Sequence, residues 1–157
     1  MIDQDVNVYS KGNIYEYDNN IISDYYPRRI IELVGEKNST CLELGIGYGT
    51  TTEIFSSFFD QYTVLEGDRK MIDRYHSMHP NTNAKIIETY FEDWNTRDTF
   101  DVIILGFILE HVEEPDKILK KYASFLSEGG KMYITVPNAE SLNRRIGKEA
   151  GILQDIL

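Results

Sequence analysis

The chain is poor in the residues that staple a fold, cross a membrane or neutralise a polyanion. Among its 157 residues there is one cysteine, Cys41, so no intramolecular disulfide can form and no cysteine-rich metal site is available. No apolar run approaches the roughly 18 residues that a membrane-spanning helix needs. The first residues, Met1-Ile2-Asp3-Gln4-Asp5, are acidic and lack the apolar stretch of a secretion signal. Basic residues are scarce: 16 Lys and Arg stand against 26 Asp and Glu, a formal charge of −10 at pH 7. Nucleic acids and anionic membranes are held through Lys and Arg, so neither is an expected partner. There is no internal repeat and no low-complexity run. The expected compartment is therefore a reducing cytoplasm. A hydrophobic content of 41% supports a packed core and excludes a wholly disordered chain. The length suits one domain.

What is present alternates between helix and strand. Residues 1–20 are polar and dotted with Tyr9, Tyr15 and Tyr17. From Ile21 to Val34 a helical period sets Ile22, Tyr25 or Tyr26, Ile30, Leu33 and Val34 on one face. Pro27 is tolerated in a first turn, which predicts a helix starting near it and stopping at Gly35. Strands are predicted at 40–44, 62–66, 84–88, 100–105 and 131–136, the fourth buried on both faces. Helices are predicted at 51–59, with Ile54, Phe55 and Phe58 on one side, at 69–76, and at 116–126. Gly129-Gly130 is expected to close the last of these. This order argues for a doubly wound α/β fold with a mostly parallel sheet. In such sheets a ligand sits beyond the carboxyl ends of the strands, here after Leu44, Leu65, Glu88 and Leu105.

The most informative stretch is Leu42-Glu43-Leu44-Gly45-Ile46-Gly47-Tyr48-Gly49. A strand that turns sharply into a helix while its backbone nears a ligand needs glycines for their positive φ and missing Cβ. A tight turn without a ligand would use the same glycines. The spacing is GxGxG, and Thr50 stands where a dinucleotide-binding loop carries its third glycine. This argues against a nicotinamide-dependent oxidoreductase. The next predicted strand ends in Glu66, about 20 residues beyond the loop, where a carboxylate can accept from both hydroxyls of a ribose. Asp68 competes for that role, but Glu66 directly ends the apolar run.

Taken together, these residues resemble the class I S-adenosylmethionine-dependent methyltransferases. Glu43 to Gly49 matches the E/DxGxGxG motif, and Glu66 the acidic end of the second strand. Phe91-Glu92-Asp93-Trp94 falls at the adenine edge. Phe100-Asp101-Val102-Ile103 with Leu109-Glu110-His111-Val112 is similar to a segment of many small-molecule enzymes, as is Glu128-Gly129-Gly130-Lys131 to Pro137-Asn138. The likeness covers roughly residues 40–138 and implies a Rossmann-like methyltransferase fold. It further implies S-adenosylmethionine as cofactor, with S-adenosylhomocysteine as product. In that resemblance Gly45 and Gly47 pack against the methionine part, and Glu43 is a cofactor-binding residue that helps hold the loop and reaches the cofactor's amino group through a water. Glu66, followed by Gly67, binds the ribose. Phe91 and Glu92 border the adenine, while Gly106 and Phe107 line the sulfonium region.

The expected reaction is methyl transfer to an oxygen or nitrogen of a small molecule, a natural product or sugar-like acceptor. His111, at the start of a helical segment, is the candidate base, histidine being the side chain most often used for proton transfer. A His there can also serve only a local hydrogen bond. No metal cluster is visible. Tyr15, Asn138 and Arg144 are the candidate acceptor contacts, the arginine toward an anionic group. Residues 1–35 are expected to form an N-terminal lid, 36–138 the cofactor-binding core, and 139–157 the start of a truncated region. The antiparallel strand pair that completes the family's sheet is therefore expected to be missing, and an exposed edge invites a homodimer. A catalytically silent binding module on the same fold is the alternative reading.

Overall fold

A computed structural model of the protein describes residues 16–35 and 39–151. The elements in chain order are α1 (Glu16–Val34), β1 (Thr40–Leu44), α2 (Thr50–Phe58), β2 (Gln61–Glu66), α3 (Arg69–Met78), β3 (Lys85–Glu88), β4 (Phe100–Gly106), α4 (Pro115–Ala123), β5 (Leu126–Thr135) and α5 (Leu142–Glu149). The strands form one sheet in the order β3-β2-β1-β4-β5. Every pairing is parallel. The strand order reverses between β1 and β4, which places the topological switch point beyond Leu44 and Gly106.

Strands buried on both faces need cover on both sides. On one face α1, α2 and α3 supply Ile30, Phe55, Ile72 and Tyr75, joined by Phe59 just after α2, packed on Cys41, Val64, Val102 and Ile104. On the other, Ile118 and Tyr122 of α4 and the following Phe125 pack on Leu42, Leu44, Leu65, Ile103 and Leu105. Each such buried side chain contributes on the order of 2 kcal/mol.

Several local expectations give way to these contacts. Helix α1 begins at Glu16, so Pro27 lies inside it rather than in its first turn. Proline has no N–H for the carbonyl one turn back. Here Pro27 is buried and Tyr26, Ile30, Ile31 and Val34 pack on the core, which offsets the missing bond. Ile22, Tyr25 and Leu33 are instead exposed. In α2 the buried face runs through Thr51, Thr52, Phe55 and Ser56, rotated from the expected apolar stripe because Thr52 bonds a buried carboxylate.

Helix α4 ends at Ala123, and Gly129-Gly130 lies within β5 rather than at a helix stop. The register passes from Phe100 opposite Leu126 to Val102 opposite Lys131, so the intervening residues bulge from β5. Gly129 has φ +78°, and a Cβ on Gly130 would lie 2.9 Å from the Phe100 carbonyl oxygen. The glycines thus serve a close strand approach. His111 sits in a turn and not in a helix; its N–H donates to Ile108 O (2.9 Å), and α4 starts only at Pro115, whose ring is suited to a first helical position.

Candidate functional site

The loop from β1 to α2 turns on three glycines with positive φ: Gly45 at 82°, Gly47 at 54° and Gly49 at 87°. Two also lie close against packed side chains. A Cβ on Gly45 would meet Ile108 Cδ1 at 2.7 Å, and one on Gly49 would meet the Tyr75 ring at 2.8 Å. At Gly47 a Cβ would meet nothing within 4 Å, so this glycine borders open space and leaves its backbone approachable. Gly45 N–H donates to Leu65 O (2.8 Å) and Gly49 N–H to Ile46 O (2.9 Å), fixing the loop.

Glu66 closes β2 beside that loop. Its Oε2 accepts from the Ile46 N–H (3.0 Å) and its Oε1 from the Asp68 N–H (2.8 Å). Each carboxylate oxygen has a further lone pair to offer. Asp68, the competing carboxylate, caps α3 by accepting from Lys70 N–H at 2.7 Å. Next to Glu66, a Cβ on Gly67 would run into the Tyr90 ring at 2.8 Å. Phe91 packs partly buried against the α4 face of the core, while the Glu92 side chain is exposed. Their carbonyls are taken by Lys121 and Tyr122 from α4.

Glu43 is buried to 1% exposure. Its Oε2 accepts from Thr52 Oγ1 (2.9 Å) and from the Tyr62 hydroxyl. Burial pushes its pKa up to about 7, against the pull of these hydrogen bonds, and the nearby Glu66 charge pushes the same way. The carboxyl therefore ties β1 to α2 and β2 from below the loop, and does not stand in the crevice.

At the end of β4, Gly106 lies under the Tyr26 hydroxyl, where any side chain would collide. Burial and the Glu43 charge raise the pKa of that hydroxyl, so it stays protonated. The Tyr26 ring meets Phe107 edge-on at 5.7 Å. Phe107 has φ +56°, an unusual conformation for a bulky residue; strained residues of this kind gather at functional sites. Its N–H donates to Thr135 O (3.0 Å). Thr135 Oγ1 is a buried oxygen with no hydrogen-bond partner among the described residues.

The sequence-expected residues Gly45, Gly47, Glu66, Gly67, Phe91, Gly106 and Phe107 thus collect along the carboxyl edge of the sheet. Exposed Asn138, after β5, accepts from Glu140 N–H (3.0 Å) through its side chain. Arg144 is half-buried on α5. Tyr15 lies outside the described residues. Tyr26, Tyr90, Ile108, Lys121, Tyr122 and Thr135 were not singled out by motif. Tyr26 is one of the two tyrosines that the helical period of residues 21–34 allows on the apolar face; for Lys121 and Tyr122 nothing local signals the contact, because loop and helix are about 30 residues apart.

A doubly wound parallel sheet, a glycine loop at its switch point with Thr50 where a dinucleotide-binding loop carries its third glycine, and an acidic residue closing the second strand fit the S-adenosylmethionine-dependent methyltransferase class. The chain belongs to the family described as methyltransferase domain, whose model matches residues 17–154. It is similar to the ubiquinone biosynthesis O-methyltransferase of Xanthomonas euvesicatoria pv. vesicatoria (strain 85-10), at 27% identity over 112 residues, 69% of this chain and 46% of the relative. It is also similar to the phosphatidylethanolamine N-methyltransferase of Cereibacter sphaeroides, at 24% identity over 138 residues, 80% of this chain and 64% of that one. Its fold is similar to the plantazolicin methyltransferase BpumL in complex with a pentazolic desmethylPZN analog and SAH, with a TM-score of 0.70 at 17% identity, covering 97% of this chain and 58% of that one. The chain therefore spans less than two thirds of the length of each of these. Among the described residues, no helix is long and apolar enough to cross a membrane.

Proposed function

We propose that the chain binds S-adenosylmethionine along the carboxyl edge of β1, β2 and β4 and transfers its methyl group to an oxygen or nitrogen of a small molecule. The observation that carries this reading is the pairing of an approachable Gly47 backbone with the Glu66 carboxylate, held beside it by the Ile46 amide. When bound, the cofactor supplies an electrophilic methyl on a sulfonium; the protein aligns the partners and excludes water.

Gly45 and Gly47 border the methionine part, Glu66 and Gly67 the ribose, Phe91 and Glu92 the adenine. Gly106 and Phe107, roofed by Tyr26, close the region where the acceptor meets the methyl. His111 is exposed in its turn and is the proposed base for an acceptor that must lose a proton, with Tyr15, Asn138 and Arg144 as acceptor contacts. O- and N-methyltransferases both occur among the relatives, which supports either atom. The buried thiol of Cys41 suits a reducing cytoplasm.

The test is thermal denaturation with and without S-adenosylmethionine or S-adenosylhomocysteine, followed by product release across a panel of phenols, amines and amino sugars. A rise in melting temperature with either nucleoside is expected. No shift at millimolar nucleoside would overturn the reading. Binding without turnover on any acceptor would reduce it to a binding module.

A further inference from the structure

Three hydrogen bonds cross from α4 to the loop after β3. Lys121 Nζ donates to Phe91 O (3.1 Å) and Glu92 O (2.7 Å), and the Tyr122 hydroxyl donates to Phe91 O (3.0 Å). Both carbonyls therefore face α4. No peptide bond here is cis, and in a planar trans peptide the N–H points opposite to its carbonyl. The Glu92 N–H is thus directed away from α4. It meets no acceptor among the described residues, whereas the next two amides, of Asp93 and Trp94, both reach Tyr90 O at 3.2 Å.

The clamp has a firm base. Tyr122 is fully buried and the Trp94 ring stacks on it at 6.2 Å with 7° between the planes. The Lys121 ammonium is directed at two main-chain oxygens rather than at a carboxylate. An ammonium on two successive carbonyls orients the peptide between them, because charge-assisted bonds are the stronger kind.

We propose that Lys121, with Tyr122, is a positioning residue for the cofactor's nucleobase: the two lock the Phe91–Glu92 peptide so that the Glu92 N–H stands as a fixed donor to an unprotonated ring nitrogen of adenine. The inference rests on the cofactor reading above. A fixed donor at that edge disfavours hypoxanthine, whose corresponding ring nitrogen carries a hydrogen, since two donors then face one another.

The experiment titrates the full chain calorimetrically with S-adenosylhomocysteine and with S-inosylhomocysteine. The wild type is expected to prefer the adenine compound by about tenfold or more. Lys121→Met keeps the stem and removes the ammonium. It should weaken the adenine compound by about tenfold and bring the ratio of the two affinities toward one. Tyr122→Phe, which removes one of the two bonds to Phe91 O, should lower the ratio by a smaller factor. Lys121→Arg, still a donor, should restore most of it. Equal weakening of both ligands with the ratio kept, or wild-type binding by Lys121→Met, overturns the clamp while leaving the cofactor reading in place. Failure of the wild type to bind either compound overturns the cofactor reading, and the clamp with it.

Discussion

The two ends of the sheet carry the same chemistry to opposite purposes. At the amino end, Asp101 of β4 accepts from Thr40 N–H and Thr40 Oγ1, both at 2.9 Å, and from Ser127 Oγ at 2.6 Å, joining β1, β4 and β5. At the carboxyl end, Glu66 also accepts two backbone amides, but the same edge of the sheet carries an open-faced Gly47, a Phe107 at positive φ and, among the described residues, a Thr135 hydroxyl and a Glu92 amide that meet no partner. One end has satisfied its groups; the other leaves donors, acceptors and strain in place. A carboxylate with hydrogen bonds thus says little about its role until the company it keeps is known. What separates stability from binding here is how much of the surrounding polar surface is still unpartnered.

Substitutions can break this contrast. Asp101→Ala should have the largest effect, costing about 3 kcal/mol of unfolding free energy because three donors lose a charged acceptor. Urea titration measures it, and the affinity for S-adenosylhomocysteine should hold. Glu66→Ala should do the reverse: cofactor affinity falls about 30-fold, roughly 2 kcal/mol, while the melting temperature without ligand changes little. If Glu66→Ala unfolds the protein, or Asp101→Ala abolishes binding in a folded protein, the division between the ends is wrong.

Proton linkage sharpens the same comparison. Hydrogen bonds from Ser127 and Thr40 hold the Asp101 carboxyl below its ordinary pKa. Its contribution is present above the unfolded-state pKa and is lost as pH falls through the lowered value. Glu43 behaves oppositely, with its pKa pushed up to about 7 by burial. Its contribution is full below the unfolded-state value of 4.5 and is lost as pH rises toward 7. Denaturant titrations at a series of pH values should show wild-type stability declining across that window by at most about 1.4 kcal/mol per pH unit from this one group. In Glu43→Gln that component of the slope should vanish. A slope unchanged by the substitution would show that Glu43 is ionised throughout. The smallest effect is expected at the roof of the crevice. Gly106→Ala should cost about 1 kcal/mol by pressing on the Tyr26 hydroxyl, and the added Tyr26→Phe change should recover part of it in thermal denaturation.

Much of the fold was legible along the chain. The apolar strand at Thr40–Leu44, the glycines at 45, 47 and 49 and the acidic end of β2 follow from rules that act over a few residues. Where those rules failed, a distant partner had intervened. Phe125 and Leu126 continue the helical period of α4, yet Phe100 N–H donates to Phe125 O (2.8 Å) and Leu126 joins the sheet. Gly129-Gly130 has the look of a helix stop but serves the bulge in β5. Pro27 is ordinarily a boundary, and in α1 its ring is buried inside the helix. His111 was expected at the head of a helix, and Pro115 set the start four residues later.

From its residue order alone, this chain settles that strands alternate with helices, that a glycine loop follows β1 and that a carboxylate ends β2, because period, turn chemistry and charge are properties of neighbours. Only the folded molecule decides that Glu43 lies buried beneath the loop and Glu66 beside it. The same holds for the Tyr26 hydroxyl over Gly106 and for Lys121 and Tyr122 reaching back to Phe91 and Glu92. Those facts depend on burial and on contacts between residues far apart in the chain, and no local pattern encodes the dielectric or the partner that a side chain will meet.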